Sequence, residues 1–138
     1  LAEVKKEAEQ AEAFKYKGSF HAVVASDMLV YKLAGFVDDY QAKILEVDPE
    51  RVVMRLGSRG VIPGWGNNDA RRPVTIEVVI GKDEAPDPGK IRARAKRVEI
   101  LVTIRPVGWI RKQDVFQHRA ANVYKCLKGY FIADMDLI

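Results

Sequence analysis

The sequence is poor in the residues that build most metal and thiol sites. Its 138 residues include one cysteine and two histidines. The single cysteine, Cys126, excludes an internal disulfide and any site made of several thiolates. It falls among apolar residues of a helical segment, where we expect a small core residue. Asp114 and His118 are spaced as neighbours on a helix, but two ligands do not make a metal site. We therefore expect neither a metal ion nor a cofactor.

The sequence also lacks the usual catalytic and membrane signatures. No run approaches the roughly 18 apolar residues that span a bilayer, and no signal-peptide pattern opens the chain. There is no G-x-S-x-G motif, and the stretch GVIPGWGNNDARRP at 60–73 matches no phosphate-binding loop. His118 and Cys126 would lie about 12 Å apart along one helix, too far for a catalytic pair. These absences favour a protein that is not an enzyme, although groups that distant segments bring together leave no such pattern.

The composition indicates one globular domain. Hydrophobic residues make up 48% of the chain and charged residues 30%, with a net charge of +4. This mild positive charge permits attraction to anionic partners without requiring it. Because the first residue is Leu1, we expect a piece excised from a longer protein. Its expected location is the cytoplasm, or the soluble part of a larger protein.

The first third of the chain predicts two helices and one strand. Residues 2–17 are rich in Ala, Glu and Lys, which favour a charged helix that leads into the domain at 18–138. This helix is a spacer, or alternatively a short coiled-coil end for self-association. A strand over Phe20–Ala25 and a short helix between Asp27 and Gly35 follow.

The middle of the chain predicts a hairpin and two longer strands. Two β-rich runs, Tyr40–Val47 and Arg51–Leu56, flank the turn residues Asp48-Pro49-Glu50. Residues 74–80 alternate between apolar and polar, which is typical of a half-buried strand. The segment 90–105 ends with the same alternation, and its apolar face consists of Val98, Ile100, Val102 and Ile104.

Residues 112–134 carry the longest helical pattern, with apolar residues at steps of three and four. The predicted fold is therefore α+β, with an antiparallel sheet of four to five strands. The long C-terminal helix covers one face of the sheet, and a charged helix precedes it. In its topology this order is similar to the helix-grip arrangement of lipid and small-ligand carriers.

Two surfaces are candidates for binding. Trp65 is a large apolar ring between two glycines, so it either folds back on the sheet or docks on a partner or ligand. The run KIRARAKRVE clusters basic residues that would attract phosphate or carboxylate groups, although a charged edge that discourages strand aggregation explains the same residues without any ligand and is favoured. The candidate contact residues are Trp65, Arg71, Arg72, Arg92, Arg94, Lys96 and Arg97.

The sequence favours a non-catalytic regulatory or protein-interaction module, whose partner is another protein or a neighbouring domain. The first alternative is a small-molecule or lipid-binding domain with a pocket between the sheet and the C-terminal helix. A pocket of several hundred cubic ångströms would favour this alternative. A further alternative is binding of an anionic ligand, RNA or an acidic membrane surface by the basic strand. Nucleic acid is disfavoured, because no aromatic residues alternate with these basic ones to stack on bases.

Overall fold

A computed structural model describes residues 5, 13–25, 28–57, 73–81, 95–108 and 112–132. In this part of the chain the elements are β1 (Tyr16–Ala25), α1 (Leu29–Tyr40), β2 (Lys43–Asp48), β3 (Arg51–Leu56), β4 (Val74–Ile80), β5 (Ala95–Pro106) and α2 (Gln113–Ile132). The predicted α+β fold is confirmed. Neither of the two helices is long and apolar enough to cross a bilayer.

The five strands form one antiparallel sheet in the order β1-β5-β4-β3-β2. The buried residues alternate along β4 and β5, as the sequence predicts. The pairing of neighbouring strands aligns these buried residues across the sheet. Ile76 of β4 lies between Met54 of β3 and Ile104 of β5, and all three are fully buried. The hairpin of β2 and β3 is confirmed, with Pro49 and Glu50 in the turn. Its first strand begins at Lys43 and not at the predicted Tyr40, which belongs to α1.

Both helices cover the same face of this sheet. α2 packs over β1 and β5, whereas α1 packs over β1, β2 and β3 and against α2. The residues of α2 that reach the core are Phe116, Ala120, Leu127 and Phe131, at steps of four, seven and four. This spacing keeps them on one stripe of a helix with 3.6 residues per turn. The predicted cover of the sheet by a long C-terminal helix is confirmed.

The first strand begins earlier than the sequence predicts. Tyr16 and Lys17, placed by their composition at the end of the N-terminal helix, pair with Ile104 and Thr103 of β5. The long strand β5 offers hydrogen-bonding groups along its whole length, and this tertiary pairing outweighs a weak local preference for helix. Most of the predicted charged helix, including the surface proposed for self-association, lies outside the described residues.

The short helix continues five residues past its predicted end at Gly35. A Cβ on Gly35 would stand 3.2 Å from two ring atoms of Tyr130. This glycine therefore lets the Tyr130 ring of α2 pack closely on α1, and it does not end the helix. The helix ends instead at Gln41, which adopts a left-handed conformation with φ 55°. The next N–H, of Ala42, donates to the carbonyl oxygen of Val37 at 3.0 Å.

Candidate functional site

A cavity of about 700 Å³ lies between the two helices and the end of β3. It lies above the end of β3, where α2, which packs over β1 and β5, meets α1, which packs over β1, β2 and β3. Its apolar wall consists of Phe36 from α1, Leu56 from β3, and Val115 and Val123 from α2. Three elements thus contribute to one concave surface.

The polar wall of the cavity comes mostly from α2. Asp114, His118 and Asn122 follow one another at steps of four, so they form a line along the helix. Arg119 lies in the neighbouring line, between Val115 and Val123 on the same face. The cavity therefore has an apolar side and a side with hydrogen-bonding and charged groups, which is the usual composition of a small-molecule site.

Arg119 is the cation of this wall. It is partly buried, and this burial lowers the pKa of its guanidinium below the ordinary arginine value. Its Nη2 atom lies 3.8 Å from the point where a Cβ on Gly57 would stand, so the side chain reaches from α2 towards the end of β3. A cation that has lost part of its water is favourably placed to meet an anion.

One rim of the cavity is an aromatic contact between the helices. The ring centroid of Phe36 lies 4.8 Å from that of Tyr40 and 5.8 Å from that of Tyr130. The Tyr40 hydroxyl is hydrogen-bonded with the thiol of Cys126, and this bond raises the pKa of Tyr40. The Tyr130 hydroxyl donates to the carboxylate of Asp39. These contacts hold α1 against α2 beside the cavity.

The contact between Tyr130 and Asp39 predicts a loss of stability in alkali. The hydrogen bond to the Asp39 carboxylate raises the pKa of Tyr130 to about 12, above its ordinary value near 10. A raised folded-state pKa gives stability that is complete below pH 10 and is lost as the pH rises towards 12. Urea unfolding between pH 8 and pH 11 should show this loss, and the Tyr130→Phe variant should lose less over the same interval. An equal decline in the two proteins would contradict the assignment.

Cys126 was predicted to be a small core residue, and this prediction is wrong. Cys126 is exposed and lines the cavity. It precedes the buried Leu127 by one residue, which on a helix turns its side chain about 100° away from the core stripe. α2 is continuous from His118 to Cys126, so the separation of about 12 Å expected between them holds. Among the described residues, no group of three or more His, Cys, Asp or Glu side chains could hold a metal ion.

Of the predicted contact residues, Arg97 alone has a described side chain, and it does not line this cavity. Arg97 is exposed on β5, where it pairs with Val23 of β1. Its neighbour Val98 is buried, and successive side chains of a strand point to opposite faces. Arg97 therefore lies on the face of the sheet away from the helices. Lys96 belongs to β5, but its side chain is outside the described part. The remaining predictions also lie outside the described residues: Trp65, Arg71, Arg72, Arg92 and Arg94.

The line of Asp114, His118 and Asn122 can be recognised in the sequence, because the three polar residues are spaced four apart. Three polar residues separated by two successive steps of four mark one side of a helix, whereas the expectation above concerned only the pair Asp114 and His118. This side of α2 borders a cavity because of the position of α1. The residue spacing within α2 contains no information on that position.

Comparisons with known proteins add no function to this geometry. The chain matches no protein-family model, and no curated protein matches it.

Proposed function

We propose that this domain binds a small amphiphilic molecule in the cavity between α1, α2 and β3. The observation that carries the proposal is the cavity itself, since about 700 Å³ falls within the range of small-molecule sites in proteins. Beside the cavity, the described residues form one continuous core from β1 to α2. This proposal ranks ligand binding above the interaction role that the sequence alone favours.

The walls define the chemical class of the ligand. Leu56, Val115 and Val123 would cover an aromatic ring or a short aliphatic body, because burial of apolar surface is the main source of affinity in such sites. Arg119 would meet a carboxylate, sulfonate or phosphate group, and the Asn122 amide would donate a further hydrogen bond to it. The expected ligand is therefore apolar at one end and anionic at the other.

Two fluorescent probes test this assignment. The anionic 1-anilinonaphthalene-8-sulfonate and the neutral N-phenyl-1-naphthylamine share an apolar body, and both should bind the wild-type protein. Val123→Trp should abolish binding of both, because the larger side chain fills the cavity. Arg119→Gln should weaken the anionic probe about tenfold and leave the neutral probe unchanged, since only the anion uses the charge. Fluorescence titration measures both affinities.

The matched control is Arg55→Gln, which removes the same charge from an exposed position on β3. It should leave both affinities unchanged. Cys126 provides an independent readout, because it lines the cavity and is the only thiol in the chain. Bound probe should slow its reaction with Ellman's reagent in the wild type but not in Val123→Trp. Equal binding of the probes by Val123→Trp and wild type would place them elsewhere and refute the proposal.

A second candidate function is protein interaction, and the edge strand β2 favours it. All six residues of β2 are exposed, among them three large apolar side chains. An edge strand of this kind offers backbone groups and side chains to another strand. A partner strand added to this edge would leave the cavity open.

A further inference from the structure

The strand β2 ends the sheet without a neighbour on its outer side among the described residues. Its apolar side chains stay in water, with 38% of Ile44, 39% of Leu45 and 50% of Val47 exposed. The outward N–H and C=O groups of such a strand are able to pair with another strand. The strand therefore carries both the backbone groups and the apolar surface for pairing.

A bulge in β2 decides which side chains share a face. Ile44 pairs with Met54 of β3 and Glu46 pairs with Val53, so Leu45 is an extra residue without a partner. Side chains in a regular strand alternate between the two faces. The extra residue interrupts this alternation once, in the middle of the six-residue strand.

Because of the bulge, the residues at the two ends of β2 have the same arrangement of faces, with an apolar side chain on the helix side and a charged one on the other side. Ile44 and Val47 lie opposite Met54 and Val52, whose side chains are buried under the helices. Both therefore face the helix side of the sheet. The three charged residues face the other side: Lys43, Glu46 and Asp48. Without the bulge, positions 43 and 48 would lie on opposite faces.

We propose that β2 pairs with β2 of a second copy of this chain, in antiparallel orientation. The two-fold axis would be perpendicular to the sheet and pass between Leu45 and Glu46. Lys43 would then lie opposite Asp48 of the second copy, and Ile44 opposite its Val47, each pair on one face. The two five-stranded sheets would join into one of ten strands. This inference rests on the interaction role given above as the second candidate, and it is independent of ligand binding.

The charges of the strand favour a second copy over an unrelated strand. The sequence KILEVD begins with a base and ends with an acid, so antiparallel self-pairing sets opposite charges against each other at both ends. Glu46 already pairs with Arg51, at 2.5 Å, and Arg51 also binds Glu77. Lys43 and Asp48 make no ion pair with any other described residue. In a two-fold symmetric dimer both residues are present in each copy, so the contact contains two equivalent pairs of Lys43 and Asp48.

The same features have a competing explanation. A bulge and a charged side chain on an edge strand are devices that prevent strand-to-strand association. On this explanation the chain stays monomeric, and changes at Lys43 have no effect on assembly. The two explanations therefore differ in a measurable way.

Sedimentation velocity over a wide range of protein concentration tests the pairing. The wild type should dimerise, and K43E should weaken the dimer about tenfold, because two pairs of opposite charges become pairs of like charges. The double variant K43D/D48K should recover the dimer, since it exchanges the charges and keeps them opposite. K17E is the control, since Lys17 is exposed on the other edge strand, and it should leave assembly unchanged. Circular dichroism checks that each variant is folded.

A wild type that stays monomeric, or a dimer that K43E does not weaken, would overturn the proposal. To separate this failure from failure of the interaction role, a fluorescent peptide of alternating threonine and valine serves as a neutral strand. If the peptide binds the monomer and K43E does not dissociate any dimer, the edge accepts strands but self-pairing is wrong. If the peptide also fails to bind, the interaction role at β2 is wrong as well. Neither outcome affects the probe titrations of the cavity.

Discussion

Replacing Phe36 with alanine should lower the free energy of unfolding by about 3–5 kcal/mol. Phe36 is fully buried, and its ring contacts Tyr40 and Tyr130 where α1 meets α2. The substitution removes the apolar transfer energy of the ring and leaves a void that opens onto the existing cavity. Few side chains can close this void, because on one side it borders the cavity and not packed protein atoms. Urea unfolding at neutral pH, monitored by circular dichroism, measures the change.

Two further variants control the Phe36 experiment. Phe36→Leu keeps most of the apolar volume and should cost less than half as much as alanine. Tyr31→Ala removes an aromatic ring from the same helix at a position that is 66% exposed, and it should change stability by about 0.5 kcal/mol or less. Similar losses for Phe36→Ala and Tyr31→Ala would contradict the packing of α1 on α2. Such a result would also remove one wall of the proposed ligand site.

The parts of the fold that could be predicted are those whose signal is local. Alternation in β4 and in β5 places the same residues in the core that the structure buries there, for example Ile76 and Ile104. The turn between β2 and β3 was predictable because Pro49 fixes its own backbone and the flanking runs favour strands. The stripe on α2 was predictable for the same reason, since its period is a property of one segment.

The parts that could not be predicted depend on contacts between distant segments. Gly35 has the chemistry of a helix end, but the ring of Tyr130 explains its presence in the middle of α1. The cavity depends on how the two helices lie relative to each other and to the end of β3, and this arrangement cannot be inferred from any single segment. The exposure of β2 follows from its place at the edge of the sheet, although its sequence resembles that of a half-buried strand. The cluster of basic residues around Arg92 stays a prediction.

Alanine at Gly18 should destabilise the protein by about 1–3 kcal/mol, although alanine is normally the better residue in a strand. A Cβ at this position would stand 2.5 Å from Cε2 and 2.6 Å from Cζ of Tyr124, which is closer than packed atoms approach. The ring is held in place because its hydroxyl donates to the carbonyl oxygen of Ser19 at 3.0 Å and its face lies near Tyr16 and Phe20. To admit the methyl group, Tyr124 must leave these contacts.

A double-mutant cycle separates this clash from any other effect of the substitution. In the Tyr124→Ala background the ring is absent, so Gly18→Ala should be neutral or slightly stabilising, and the coupling between the two sites should equal most of the single-variant loss. Gly129→Ala is the matched control, because a Cβ there meets nothing within 4 Å and the residue lies inside α2. It should stabilise the protein by about 0.5–1 kcal/mol through helix propensity. A loss at Gly18 that disappears in the Tyr124→Ala background, together with the gain at Gly129, would show that the ring of Tyr124, and not the backbone, requires glycine in β1. A loss at Gly18 that persists without the ring would instead assign the requirement to the strand itself.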